Sequence, residues 1–414
     1  MTANALLLGL ALVALLGVVL EEQLHLNKAK VTLFCGTLAW LVLFLRTTGP
    51  ERAAVEASFA ENLAEIATLW LFLMAAMTFV AYLNKKGLLE TIIHRLLPRR
   101  MGERRLLLLT GVFCFAFSSL ADNITATLCS VALVLSLRLP PEKTWRFAVL
   151  VVFAVNSGGV ALITGDVTTL MIFLAHKVAI LDLFLLAGPA LLGVLTLAAL
   201  LSRGLEGTVE IAPAESAVRG VDATIAAIFL ATIGGTILAN ALFEIPPVLC
   251  FLFGLSLMFL AARFFGEEPD QDPILDYVRL VEFDTLLFFL GVLLLVGMLR
   301  EIGTLDAVAQ LYAVVPATAA NFAMGVLSAL VDNVPLTAAL LKADVAMDRG
   351  EWLLLAYAVG VGGSLLAIGS AAGIVAMAKV EGLSFGRYLR FLPALAAAYG
   401  VGFAATWLLA SFIR

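Results

Sequence analysis

Long apolar runs separated by short polar joints dominate the chain. Ala5–Leu20, Leu69–Leu83, Leu286–Leu299 and Leu389–Ile413 approach or exceed about 18 residues, the length at which a helix covers the hydrocarbon of a bilayer. Ten crossing segments are expected, over 5–20, 31–45, 66–83, 146–175, 180–201, 222–240, 246–264, 282–299, 352–378 and 391–411. Two further apolar stretches, 105–138 and 312–341, are interrupted at their middles, by Ser118-Ser119-Leu120-Ala121-Asp122-Asn123 and by Ser328-Ala329-Leu330-Val331-Asp332-Asn333. A plain lipid-crossing helix would leave those polar groups unsatisfied. Both stretches are therefore expected to be re-entrant hairpins, with tips buried in protein or lining a wet cavity.

The two interruptions belong to a longer repeat. Asp122-Asn123 returns 210 residues later as Asp332-Asn333. Gly158-Gly159 with Gly165 returns after 204 residues as Gly362-Gly363 with Gly369. Glu65, Thr68 and Leu69 return after 217 residues as Glu282, Thr285 and Leu286. The unit is three spans, a hairpin, a Gly-broken span and a last span. It occupies 1–201 and 222–414, with 202–221 as a linker between the copies. Each copy has five crossings, an odd number, so the second starts on the opposite face. The expected fold class is an all-α polytopic membrane protein, an inverted-repeat transporter with two hairpins and two broken helices.

Composition agrees with bilayer as the solvent. Hydrophobic residues make up 62% and charged residues 14%, against about 25% charged in a soluble domain. The net charge of −5 matters less than its distribution. Most of the 26 Lys and Arg fall on the face that holds Lys28, Lys85, Lys86, Arg95, Arg99, Arg100, Arg104 and Arg105. The positive-inside rule makes that face cytoplasmic and puts both termini and the second hairpin's base outside. The linker, Arg203–Asp222, would then be cytoplasmic, and the two hairpin tips would meet near the midplane. Met1-Thr2-Ala3-Asn4 carries no Lys or Arg, so Ala5–Leu20 is expected to be a retained span. Cys35, Cys114, Cys129 and Cys250 lie in apolar segments without paired spacing and are expected to be packing residues.

Ionisable residues deep in lipid are costly and suggest function. Asp122 and Asp332 stand at the hairpin tips, and Asp166 follows Gly165 in the first broken span. Small oxygen-bearing residues surround them: Ser118, Ser119, Asn123, Thr125 and Thr127; Asn156, Ser157, Thr164, Thr168 and Thr169; Ser328, Asn333 and Thr337. The second break offers Ser364 and Ser370 without an acid. Hard cations such as Na+ take carboxylate, carbonyl and hydroxyl oxygens, and broken helices add main-chain carbonyls. A carboxylate removed from water holds its proton more firmly, so one group can hold H+ or a metal ion in turn. Capping is the plainer role for the three acids, because Asp and Asn are common N-caps. The Gly pairs could equally serve close helix packing. His25, His94 and His176 lie near span ends and are expected to be interfacial. Lys85–Arg105 is a headgroup-facing basic run, and Glu21, Glu22, Glu65 and Glu282 sit at span edges.

The motifs Ser119-Leu120-Ala121-Asp122-Asn123-Ile124-Thr125, Asn156-Ser157-Gly158-Gly159, Gly165-Asp166-Val167-Thr168-Thr169-Leu170-Met171, Val331-Asp332-Asn333-Val334-Pro335 and Gly362-Gly363-Ser364-Leu365-Leu366-Ala367-Ile368-Gly369-Ser370-Ala371-Ala372-Gly373 resemble those of NhaD-type Na+/H+ antiporters of the ion transporter superfamily. The resemblance covers nearly the whole chain. It departs from the family pattern at Ala161-Leu162-Ile163-Thr164, where a more polar, Pro-containing stretch is expected. It implies efflux of Na+ or Li+ driven by H+ entry at a bacterial-type inner membrane, in a homodimer with a scaffold and an elevator-like moving domain. By motif position it implies Na+ or Li+ at Asp122, Asn156, Asp166 and Asp332. Asn123, Thr164, Thr168, Asn333, Ser364 and Ser370 would complete the cation- and proton-binding set, with Gly158, Gly159, Gly165, Gly362, Gly363 and Gly369 at the helix breaks. The transported ions and the lipid bilayer are the partners implied, with no cofactor and no nucleic acid.

Two other classes compete. One is a sodium-coupled dicarboxylate or arsenite carrier of the same superfamily, whose dicarboxylate members carry Ser-Asn-Thr at the hairpin tips. Asp122-Asn123 and Asp332-Asn333 put carboxylates there instead, which repel an anion. An intramembrane aspartyl protease has a Gly-x-Gly-Asp motif, but Ile163-Thr164-Gly165 before Asp166 lacks the first Gly. Exchange of cations is the expected activity.

Overall fold

A computed structural model describes residues 2–19, 21, 26–86, 100–210, 220–265, 277–279 and 281–413. His25, His94, Glu22, Arg95, Arg99, the last residue of the first expected span and residues 211–219 of the linker lie outside the described residues. Helices α1 (Thr2–Val19), α2 (Lys28–Arg46) and α3 (Pro50–Lys85) lead to strand β1 (Arg100–Gly102), followed by α4 (Glu103–Leu120) and α5 (Asn123–Ser136). Next come α6 (Pro141–Gly159), α7 (Val167–Leu174), α8 (Ile180–Leu201) and strand β2 (Thr208–Glu210). The second half holds α9 (Gly220–Phe243), α10 (Pro247–Phe265), α11 (Phe283–Glu301), α12 (Asp306–Val314), α13 (Ala317–Ser328), α14 (Asn333–Lys342), α15 (Arg349–Gly362), α16 (Ala371–Lys379), α17 (Phe385–Tyr388) and α18 (Leu392–Ile413). Among the described residues, seven helical segments are long and apolar enough to cross a membrane. The chain is a polytopic α-helical membrane protein.

Each polar interruption read from the sequence is a real gap between helices. Ala121 and Asp122 separate α4 from α5, and residues 329–332 separate α13 from α14. Residues 160–166 and 363–370 split the two Gly-marked spans. At each gap a helix C-terminus, with its free carbonyls, meets the N-terminus of the next helix. Helices α6 and α15 are apolar nearly all round and correspondingly buried, from Phe147 to Val155 and from Trp352 to Val361. They pack on each other at the centre and end at Gly159 and Gly362.

Corresponding positions make corresponding contacts. Ser118 Oγ donates to Val155 O at 2.8 Å, and Ser328 Oγ to Val359 O at 2.8 Å. A Cβ on Gly158 would meet Phe115 O at 2.1 Å, and one on Gly362 would meet Gly325 O at 2.1 Å. The bare glycines let α6 lie against α4, and α15 against α13. The short helices also cross between halves: α7 packs on α14, and α5 on α16.

The close helix contacts divide into two groups. Helices α1, α2, α3, α9, α10 and α11 pack together, and α4–α8 pack with α13–α16 and α18. Among the described residues, substantial contact between the groups is made by α14 on α11 and by α8 on α9. Two features depart from the sequence reading. Helix α3 begins at Pro50 rather than near 66. Its 36 residues at 1.5 Å per residue run about 54 Å, well past the ~30 Å hydrocarbon, so the charged first turns with Glu51, Arg52 and Glu56 extend beyond it. The basic run and the linker also meet in a two-stranded antiparallel sheet, Met101 opposite Val209. The four cysteines are free thiols.

Candidate functional site

The four gaps start four short helices, and each start is capped by a residue singled out in the sequence. Asp122 Oδ1 accepts from the amides of Ile124 (3.1 Å) and Thr125 (2.9 Å). Asp166 Oδ1 accepts from Thr168 N at 3.3 Å, and Asp332 Oδ1 from Val334 N at 3.2 Å. Ser370 Oγ accepts from Gly373 N at 3.3 Å. Capping stabilises a helix start by about 1 kcal/mol, and the positive N-terminal end favours the ionised carboxylate.

Capping uses one oxygen of each acid and leaves the other for different work. Asp166 Oδ2 accepts from Thr168 Oγ1 at 3.0 Å and from Asn333 Nδ2 at 3.0 Å. Asp332 Oδ2 faces the Lys28 ammonium at 3.0 Å. Asp122 Oδ2 is buried and makes no hydrogen bond within the protein. The choice between capping and binding, open in the sequence, is thus not exclusive.

Asp166 and Asp332 lie within electrostatic reach of each other, with Asn333 between them. A Cβ on Gly159 would touch Asn123 Oδ1 (2.8 Å) and Asp166 Cβ (3.1 Å), so the first hairpin tip and the first break approach across that glycine. Ser118 Oγ donates to Asn123 Oδ1 at 3.1 Å. Asn156 Nδ2 donates to Ser370 Oγ at 3.0 Å, joining the first break to the second. Gly165 and Gly369 each sit against a hairpin backbone, at 2.5 Å from Ser118 O and 2.6 Å from Ala329 O for an added Cβ. Gly363 in turn lies against Gly369 O, 2.8 Å from an added Cβ.

Two further expected residues bond to backbone carbonyls. Thr164 Oγ1 donates to Ser119 O at 2.6 Å, tying the first break to the end of α4, and Ser364 Oγ donates to Val361 O at 2.6 Å within its own helix end. The oxygens Asn156 Oδ1, Ser157 Oγ, Thr169 Oγ1 and Thr337 Oγ1 are buried without a hydrogen bond from protein. Such groups are costly unless another ligand meets them. Like Asp122 Oδ2, they are oxygens of the kind a hard cation takes.

Sequence reasoning passed over two groups. In the sequence Lys28 is one of the charges that mark a face, and Glu282, the N-cap of α11, sits at a span edge. The first is paired with Asp332, and the second lies within electrostatic reach of Asp122. Both partnerships join residues far apart in sequence, which a local pattern does not signal.

Comparison with known proteins agrees with the motifs. The citrate transporter family model matches residues 2–362. The Na+/H+ antiporter NhaD of Alkalimonas amylolytica is 33% identical over 420 residues, covering 92% of this chain and 85% of the relative. NhaD of Vibrio cholerae is 33% identical over 427 residues, covering 93% and 87%. This chain belongs to the NhaD-type Na+/H+ antiporter family. The chain is also similar to a plant protein: sodium/proton antiporter 1 of Arabidopsis thaliana is 32% identical over 97% of this chain and 71% of its own length. The NhaD resemblance read from Asp122-Asn123, Gly165-Asp166 and Asp332-Asn333 therefore holds along the chain, and those residues lie at the helix breaks of a transporter fold.

Proposed function

We propose that this chain is a secondary transporter that exchanges Na+ or Li+ for H+ across the membrane, at the oxygens of Asp122, Asp166 and Asp332. The observation that carries the reading is the state of Asp166. It is buried, capped through one oxygen, and offers its other oxygen beside Thr168 and Asn333 where two helix breaks meet. A carboxylate in that setting binds a proton or a small metal cation, and occupancy by one excludes the other. Exchange follows if the loaded site is presented to each side in turn. The relatives named as sodium/proton antiporters support the same activity.

The two helix groups suit an elevator. The group formed by α4–α8, α13–α16 and α18 would carry the breaks past a scaffold of α1–α3 and α9–α11. The inverted repeat, the re-entrant course of the hairpins, the outward placement of both termini and a homodimer belong to this proposal. The test is dye-reported ΔpH in proteoliposomes of purified protein, titrated with Na+, Li+ and K+. Saturable, Na+- or Li+-dependent proton movement is expected, and its absence for all three ions refutes the exchange.

The family model's description as a citrate transporter favours a second reading, sodium-coupled uptake of a carboxylate anion. Three carboxylates around the breaks weigh against it. Uptake of labelled citrate, succinate or arsenite by the same liposomes would establish it.

A further inference from the structure

Lys28 is a cation already seated on one of the candidate carboxylates. Its Nζ lies 3.0 Å from Asp332 Oδ2, and the two side chains are only 20% and 15% exposed. The residue belongs to α2, in one helix group, while Asp332 opens α14 in the other. The ion pair therefore spans the seam close to where α14 packs on α11.

The start of α2, which carries the ammonium, is held from its own side. Lys28 N donates to Glu21 Oε1 at 3.1 Å, and Asn27 Nδ2 donates to Asp284 Oδ2 at 2.8 Å, tying the start of α2 to α11. Nζ also lies 4.5 Å above the Phe288 ring of α11, a favourable place for a cation. The Glu21 carboxylate is close enough to act on the same charge. Lys28 thus has a second set of partners if it leaves Asp332. On the other side, Asp332 Oδ1 is committed to Val334 N, so Oδ2 is the oxygen that an ammonium or a metal ion must share. Both are single positive charges, and seating both on one oxygen would press like charges together in a poorly solvated site, which favours one occupant at a time.

We propose that Lys28 is an internal cation that competes with the transported ion for Asp332 and so sets the apparent affinity of the site. Lys28 keeps its charge throughout and only changes partner. While the pair is closed, α14 is tied to α2; an arriving Na+ frees it. The inference rests on the exchange reading and adds to it the residue that the incoming ion must displace.

A purely structural ion pair and a competitor give opposite results when the ammonium is removed. Equilibrium binding of ²²Na+ to purified protein in detergent separates them. Apparent affinity falls with the fraction of protein ready to bind, so a pair closed nine-tenths of the time implies about tenfold tighter Na+ binding in Lys28→Gln. Lys28→Arg, which keeps a cation there, is expected to bind like the wild type. Unchanged or weaker binding in Lys28→Gln, beside intact Na+-driven ΔpH in the wild type, overturns the role of Lys28 and leaves the exchange standing. No saturable Na+ binding in any form overturns both. A second measurement needs no variant: amidination of Lys28 in the wild-type protein, followed by peptide mass spectrometry. Saturating NaCl is expected to raise its rate severalfold over choline chloride of equal ionic strength, with Lys177 as the unresponsive control. Equal rates in the two salts overturn the proposal.

Discussion

Asn333 Nδ2 donates to Asp166 Oδ2 at 3.0 Å, joining two residues 167 positions apart. The same asparagine follows Asp332, whose Oδ2 faces Lys28. One dipeptide at the second hairpin tip therefore touches both the first break and the other helix group. A hydrogen bond to a charged group contributes about 1.5–3 kcal/mol. Asn333→Ala is accordingly expected to raise the Na+ concentration for half-maximal proton movement about tenfold or more. An unchanged half-maximal concentration would remove Asn333 from the site.

Asp122→Asn and Asp166→Asn test the acids themselves. Asparagine caps a helix nearly as well as aspartate, so each variant is expected to keep its short helix and its elution volume on size exclusion. Each removes the negative charge that attracts a cation, and Na+-induced proton release in everted vesicles is expected to vanish. Normal exchange in both variants would sink the assignment of the site.

The glycine contacts give a prediction about stability. Gly158→Ala and Gly362→Ala would each place a Cβ 2.1 Å from a backbone carbonyl oxygen, which only a helix shift relieves. Overpacking of this kind costs about 1–3 kcal/mol or more. Both variants are expected to melt earlier in detergent than Gly234→Ala, whose Cβ meets nothing within 4 Å and which gains helix propensity. Equal melting temperatures for all three would contradict the close packing of α6 on α4 and α15 on α13.

A fold-holding ion pair away from the breaks supplies a contrast. Arg349 grips the Asp182 carboxylate through Nη2 at 2.7 Å and through Nε, and Asp182 Oδ2 also accepts from Ala179 N at 2.8 Å. Asp182 is buried while Arg349 is half exposed. Asp182→Ala is therefore expected to cost about 1–3 kcal/mol, less than the loss of a fully buried pair. Its thermal midpoint should fall while half-saturation by Na+ stays at the wild-type value. A shift in Na+ affinity would show that the pair acts on the site.

The helix breaks were legible because a polar cluster inside an apolar run has few physical solutions. Asp122-Asn123, Gly165-Asp166 and Asp332-Asn333 each fall at the start of a short helix, as their spacing implied. The central position of α6 and α15 was legible in part, from apolar residues on every face. The early start of α3 was hidden because Glu51, Arg52, Glu56 and Glu61 interrupt any apolar run, although helix propensity persists through them. The β1–β2 pairing was hidden because two three-residue strands carry too little pattern of their own, and they meet only because α4 starts and α8 ends side by side. The Lys28–Asp332 contact was beyond reach for a third reason: its partners are 304 residues apart, and only the packing of α14 against α11 brings them together.

Asp166 and Ser370 cap equivalent short helices in the two halves, and Gly360 stands where the first half has Asn156. The stations are alike in shape and unlike in charge. A monovalent ion meets a deep electrostatic well at the first and only a shallow dipolar one at the second. The first break sets Asn156, Asp166, Thr168 and Thr169 where the second has Gly360, Ser370, Ala372 and Gly373, so on the exchange reading the guest ion is retained at the first station alone.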